Sequence, residues 1–598
     1  MLAGCANRGL GPQGGPKDSI PPVAIYAEPE LGALEYTGKR VEITFNEYIQ
    51  LSDIGTNLLM SPPQQNPPEV KARGKRLIVL FQDTLRDSTT YTIDFGDAVC
   101  DYTEKNPIHG FSFYFSTGSE IDTLETRGRV FDAETLNPQK GIFVGIHNDL
   151  ADSAFTTKTF LRIAKTDSAG YFRVGNIHPG RYRLYAVDEI SRDYRLTPGE
   201  AYAFLDSVIT VKPEPTTNMA DTLDTLAVID TLHNTISYPL STLWLFKEQQ
   251  QKLYLQRTLR ENQHSIQLLF SSSPDSVPVI RAMRPSELDS ARSDTAWIDP
   301  TPYMHTHYSP KRDTITLWLT DSIAILQDSI YLEARYRRTD SVYNLEWYTD
   351  TLRAVWRAPK LNSKAREAKE REERNRRLTL KTNARKGFEL NDTLWLTCAT
   401  PLASIEPDSI HILEKIDTVY KPVPFTIAPY DTLPMRLVFL GQWKEGCKYE
   451  LRLDSGALHD VYGTTHIAAN YSMQLKTVAD YSTLRVTLKP FAPQARIQLM
   501  DGKDKVLREL PATAEGTLFE YLKPDTYYLR LYMDDNGDGK WTTGSWKDKR
   551  QPEKVYYYPD KIQTKSNWDF EQEWDYTATP QTESKPEELV KVSSAKKK

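Results

Sequence analysis

Short runs in which apolar and polar residues alternate recur from near one end of the chain to the other, and that period of two dictates β-structure. In "RVEITFNEYI" Val41, Ile43 and Phe45 alternate with Glu42, Thr44 and Asn46. The same pattern returns in "RLIVLF", in "TYTIDF" and in "FSFYFSTG", with turn-rich segments between. Strands this short, without intervening helical periodicity, build sandwiches. A chain of 598 residues is too long for one core, so several domains are required.

The runs group into blocks. Residues 21–119 form a first sandwich. Residues 120–213 form a second, in which "TDSAGYFRVGNIHPGRYRLYA" is strand, Pro-Gly turn and strand. The stretch 214–235 is a linker, and 236–358 a divergent third sandwich containing "DTITLWLTD" and "DSIYLEARYRR". At 359–380 the texture changes. "SKAREAKEREERNRR" has no apolar stripe, while Glu367–Arg371, Glu370–Arg374 and Glu373–Arg377 stand at i, i+4. That predicts one short, charged, solvated helical spacer.

After the spacer the order of the first two sandwiches repeats. "YELRLDSGALHD" lies beside "YTIDFGDAVCD", matching Tyr449 with Tyr91 and Asp460 with Asp101. "YLKPDTYYLRLYMDD" lies beside "NIHPGRYRLYAVDE", matching Tyr527 with Tyr182 and Leu529 with Leu184. Residues 381–479 are therefore a copy of the first sandwich and 480–575 a copy of the second. The tail 576–598, poor in core-forming residues, is expected to be disordered.

Net charge is −6, which gives no basic face, so nucleic acid is not an expected partner. The four cysteines form no C-x-x-C pair. Cys398 and Cys447 fall in one block, and whether they pair is left open by their spacing; two small buried apolar residues is the simpler reading. No nucleophile elbow, H-E-x-x-H, P-loop or G-x-G-x-x-G occurs, so the chain is not expected to be an enzyme.

Two clusters invite chemistry. In "DDNGDGKWTTGSW", Asp534, Asn536 and Asp538 alternate as oxygen ligands do in the first half of a calcium loop, with Lys540 offering its carbonyl. The second half departs from the pattern, because Ser545 stands where a bidentate Glu belongs. A polar Asp/Asn/Gly turn is the competing reading, and no cofactor is required. Trp541 and Trp546, with Trp568 and Trp574 nearby, could stack on a sugar or a partner, or fill sandwich edges.

"LAGC" (Leu2, Ala3, Gly4, Cys5), ahead of a Gly/Pro-rich tether over residues 1–20, resembles the lipobox of bacterial lipoproteins. That resemblance implies acylation of Cys5. The stretch from "PPVAIYAEPE" to "FSFYFSTG" resembles the bacterial Ig-like domains also found in S-layer proteins. "RGRVFD" and "TDSAGYFRVGNIHPGRYRLYA" look like the carboxypeptidase-regulatory, prealbumin-like fold. Together the arrangement resembles Ig-domain lipoproteins of Bacteroidota. The fold class expected is thus all-β, a multidomain string of Ig-like and prealbumin-like sandwiches with one charged helix. The function implied is a non-catalytic outer-membrane lipoprotein, held in the membrane through Cys5, acting as an envelope scaffold or binding subunit on either face. One alternative is an accessory subunit of an integral outer-membrane β-barrel machine for assembly, export or nutrient uptake. Another is a carbohydrate-binding or glycan-processing surface protein.

Overall fold

In the computed structural model the described residues are 18–189, 191, 193–213, 240–248, 252–283, 297–299, 303–340, 344–357, 367, 371, 376–428 and 434–591. Cys5, the linker 214–235 and most of the charged spacer lie outside them. The chain is all-β and multidomain. The helices among the described residues are short turns such as Ala154–Thr157 and Ser322–Leu326.

Five sandwiches follow one another, each with its own apolar core. In the first, a sheet ordered Ala24–Glu28, Arg40–Phe45, Arg76–Leu80, Glu69–Arg73 faces a sheet of Leu59–Ser61, Thr90–Gly96 and Phe111–Ser116. Alternation places Val41, Ile43 and Phe45 inward against Tyr91, Ile93 and Phe95. In the second, Tyr171–Ile177, Leu124–Asp132 and Ser241–Leu245 face a sheet built around Phe143–His147 and Gly180–Val187. Ser241–Leu245 runs parallel to Leu124–Asp132 and contributes Leu243 to this core. The boundary expected at residue 236 is therefore displaced: a strand assigned to the third sandwich completes the second. The third sandwich begins instead near Leu253.

The fourth and fifth sandwiches repeat the first and second in detail. The Tyr91 hydroxyl accepts from the amide of Arg86, five residues upstream (2.7 Å), and that of Tyr449 from Lys444, also five upstream (3.0 Å). The Tyr182 hydroxyl donates to the His178 carbonyl (2.7 Å), and Tyr527 to that of Lys523 (2.9 Å), each four residues back. Ser482–Lys489 pairs in parallel with Asp569–Asp575, the counterpart of the parallel pair in the second sandwich. These hydroxyls tie down corners where the chain crosses between sheets, which is why the matched residues recur. Cys100, Cys398 and Cys447 are free.

The sandwiches follow one another along the chain as expected, and the fifth in addition folds back onto the second. The expectation of a disordered tail is overturned: its described part, residues 576–591, is ordered. Ser584, Lys585, Pro586 and Leu589 are buried where these two sandwiches meet. Composition misled here because the tail borrows its core from the folded body.

Candidate functional site

The seam between the second and fifth sandwiches is where side chains of the two repeats converge. It grows from strands that are apolar on both faces. In Gly180–Val187, Leu184 and Ala186 enter the sandwich core, while Tyr185 and Val187 belong to a second apolar layer on the outer face. Phe155, Phe160, Tyr202, Phe204 and Phe246 complete that layer. Gly145 makes it possible: a Cβ there would meet the Phe160 ring at 2.2 Å, so only glycine lets the ring lie flat on the strand.

The loop after Thr526–Met533 in the fifth sandwich plugs this layer. The Trp546 indole meets Phe155 and Phe204 edge-on, each at 5.1 Å between centroids, and Tyr185 at 5.7 Å. Its amide donates to Tyr202 Oη and to Glu248 Oε1, both at 2.7 Å. Tyr202 Oη itself donates to Glu248 Oε1 at 2.5 Å. Burial, then the bond to Glu248, pushes the Tyr202 hydroxyl far above the ordinary tyrosine range, so it stays a donor. Thr543 Oγ1 donates to the Lys247 carbonyl (3.0 Å), and Gln551 Nε2 to the Phe204 carbonyl (3.0 Å). Trp541 Nε1 donates to the Glu553 carbonyl (3.0 Å), its ring in the same layer.

The plug is reciprocated. Leu136, in the left-handed region at φ 53°, projects from the second sandwich into a pocket of Met500, Tyr528, Tyr532, Val555 and Tyr557 in the fifth. Arg530 Nη1 donates to the Glu134 carbonyl beside it (3.3 Å).

Trp541 and Trp546 therefore do not form an exposed sugar platform: their rings are committed to contacts within the chain. A cleft of about 170 Å³ remains beside Trp546, lined by Thr197, Glu200, Tyr202, Glu248 and Lys547. The Asp534–Lys540 loop lies upstream of the plug and is closed by its own amides. Asp534 Oδ1 accepts from Asp538 N (3.1 Å) and Oδ2 from Gly539 N (2.9 Å). Asn536 Oδ1 also accepts from Asp538 N (2.9 Å), and Asp538 Oδ1 from Lys540 N (2.8 Å). Among the described residues no group of three or more His, Cys, Asp or Glu is arranged to hold a metal ion.

Neighbouring junctions are likewise pinned. Arg162 of the second sandwich donates to the Thr90 carbonyl of the first and, at 3.2 Å, to Asp122 in the connection. Tyr462 of the fourth donates to the Leu319 carbonyl of the third (3.0 Å). Glu389 of the fourth takes Lys523 of the fifth at 2.9 Å, Lys476 at 3.1 Å and the Tyr481 hydroxyl at 2.7 Å. Tyr202, Glu248 and Glu389 carry no motif. What the sequence does show is the missing alternation in "RYRLYAV" and "YYLRLYM", the mark of strands covered on both faces.

Residues 18–117 match the family model described as bacterial Ig-like domain. No curated protein matches the chain. Among solved structures, the major pilin subunit of Bacillus cereus is similar at 9% identity, covering 75% of this chain and 99% of that one, with a TM-score of 0.14. The surface layer protein SbsC, domains 1–6, is similar at 10% identity, covering 86% and 66%, with a TM-score of 0.13. Native alpha-2-macroglobulin from Escherichia coli spanning domains MG0-NIE-MG1 is similar at 12% identity, covering 48% of this chain and 95% of that one, with a TM-score of 0.16. Likenesses this remote carry no functional information.

Proposed function

We propose that the chain is a non-catalytic scaffold or binding subunit of a bacterial cell envelope, anchored in the outer membrane by acylation of Cys5. The observation that carries the scaffold reading is the seating of Trp546 against Phe155, Tyr185 and Phe204. An aromatic ring held on several sides, with its amide on the buried Tyr202 and the half-buried Glu248, fixes two sandwiches relative to each other. The pinned junctions extend that rigidity along the chain. A rigid frame suits the display of surfaces to other proteins better than glycan processing, because both indoles are half-buried and packed into the seam within the chain. The bacterial Ig-like domain at residues 18–117 and the Leu2-Ala3-Gly4-Cys5 sequence support the compartment. Among the described residues no helix is long and apolar enough to cross a membrane, which says nothing of a barrel. One acyl chain holds a protein to a bilayer only marginally, so the anchor requires more than one.

The partner is a protein, and an integral outer-membrane barrel fits the reading. The long hairpin Ser329–Thr339/Leu345–Val355 of the third sandwich supports this. It leaves Trp347 54% and Tyr348 44% exposed, with the guanidinium groups of Arg335 and Arg338 over their rings at 5.2 and 4.7 Å. Exposed Trp, Tyr and Arg are the residues protein interfaces favour. Metabolic labelling with a fatty-acid analogue tests the anchor. The chain with its native leader should take up label and enter the membrane fraction, and Cys5→Ala should do neither. Pull-down in mild detergent tests the partner: a barrel protein should be recovered, and lost with Trp347→Ala.

A further inference from the structure

The segment after the last strand is held as a ligand is held. Residues Gln581–Glu583 and Glu587–Leu589 form single 3-10 turns. Attachment to the body rests on a buried run and one further anchor: Ser584, Lys585, Pro586 and Leu589 are buried, whereas Glu587, Glu588 and Val590 face outward. Lys585 is the central anchor. Its Nζ donates to Asp504 Oδ2 of the fifth sandwich (2.8 Å) and to the Thr135 carbonyl of the second (2.7 Å). It also lies 4.8 Å from the centroid of the Tyr557 ring, whose hydroxyl donates to Asp504 Oδ1 (3.0 Å). The Lys585 and Asp504 side chains are only 3% and 4% exposed. Leu589 shares the pocket that receives Leu136, and the Lys591 amide donates to Asn137 Oδ1 (2.9 Å).

The groove is thus half second sandwich (Thr135, Leu136, Asn137) and half fifth (Asp504, Tyr528, Tyr557). A buried carboxylate that loses its cation is left uncompensated, which is strongly unfavourable. Asp504 therefore places a lysine requirement on whatever fills the groove. Because Lys585 bonds both sandwiches at once, filling the groove also joins them.

We propose that this groove is a recognition site for a Ser-Lys-Pro-x-x-Leu peptide, that residues Ser584–Leu589 are its ligand in cis, and that its occupancy governs docking of the fifth sandwich on the second. The proposal does not depend on how the chain is anchored.

The test uses two forms. In the full chain, Lys585→Met keeps the side-chain volume and removes the charge. Hydrogen exchange at residues 134–137 and 541–546 should rise at least tenfold, while the amides of Ile497 and Leu529 in the fifth core keep their protection. In a chain ending at Ala578, a synthetic peptide of residues 579–591 added in trans should bind one to one and restore seam protection. The same peptide carrying Lys585→Met should bind at least tenfold more weakly. Equal binding of the two peptides, or unchanged seam exchange in the full-length Lys585→Met chain, would overturn the proposal. Should the shortened chain fail to fold, the full-length variant decides alone.

Discussion

The Trp546 ring stands edge-on to Phe155, 5.1 Å between centroids and 79° between planes, although 391 positions of sequence separate the two residues (546 − 155). The contact is the pivot of the seam. Replacing Trp546 with Ala empties the space between Phe155 and Phe204. Truncating a core aromatic costs about 3–5 kcal/mol, and Trp546 is partly exposed, so a loss of about 2–4 kcal/mol is expected. The urea transition reporting the second and fifth sandwiches should move to lower denaturant, leaving that of the third unchanged. A variant that unfolds like the parent would show that the seam contributes nothing to stability.

Gly544 provides an independent probe of the same seam. A Cβ there would lie 2.4 Å from Phe246 Cζ of the second sandwich and 2.8 Å from the Arg550 carbonyl. Gly544→Ala should therefore force the sandwiches apart, at about 1–3 kcal/mol, the usual scale of overpacking. Phe246→Leu in the same chain should recover part of that loss, so the two changes couple in a double-mutant cycle. Strictly additive effects would mean that the ring and the loop do not meet.

How the sandwiches pair was harder to read from the sequence than the sandwiches themselves. Val41, Ile43 and Phe45 announce an inward face because alternation is a local property. The repeat was equally legible, since Tyr91 and Tyr449 sit in the same local frame and make the same bond. Trp541 and Trp546 were visible as a cluster, but their partners are Phe155, Tyr185 and Phe204, and nothing near residue 546 encodes them. Complementarity between two faces distant in sequence leaves a trace only in strands that lack a polar side, as in "YYLRLYM". The strand Ser241–Leu245 lies in a different sandwich from the one its sequence position suggests, for a related reason. It joins the second sandwich across residues 214–239, and no local pattern says on which side of such a gap a strand will pair.

His147 makes the outer layer acid-sensitive. Its ring lies 5.1 Å from Phe160 and 5.9 Å from Tyr185. Burial lowers its pKa from 6.5 to about 4; Asp149 opposes that shift and Lys158 adds to it. Between these two values the unfolded chain binds a proton that the folded one does not. Stability should be level above about pH 6.5 and fall as pH drops toward 4. Urea midpoints across this range should show the slope, and His147→Leu should flatten it. A parent profile flat from pH 7 to about 4 would refute the assignment.

Glu389 acts in a lower window. Burial opposes its ionisation, but the hydrogen bonds from Lys523, Tyr481 and Lys476 outweigh it and bring the pKa from 4.5 to about 2. A depressed carboxylate contributes stability that is complete above the unfolded value and is lost as pH falls through the folded one. The junction of the fourth and fifth sandwiches should therefore weaken between about pH 4.5 and 2. Glu389→Gln should lower stability at pH 7 and remove this part of the acid slope. It should leave the His147 window intact, since the two groups sit at different junctions.

The loop Asp534–Lys540 separates a metal site from a turn. A calcium ion bound only to the folded chain would stabilise it by mass action, about 2.7 kcal/mol at a hundredfold excess over the dissociation constant. The ion would have to compete for oxygens already in use, since both carboxylate oxygens of Asp534, and one side-chain oxygen each of Asn536 and Asp538, accept backbone amides. Glu553, the nearby acid, spends both of its oxygens on the amides of Asp535 (3.0 Å) and Thr542 (2.8 Å). The melting temperature of the full chain should thus be the same in EDTA and in millimolar calcium. Asp538→Ala, which removes the acceptor for Lys540 N, should lower stability by about 0.5–1.5 kcal/mol, the worth of one hydrogen bond, equally in both buffers. A calcium-dependent rise in melting temperature that disappears in Asp538→Ala would instead establish the loop as a binding site, with the amides giving way to the ion.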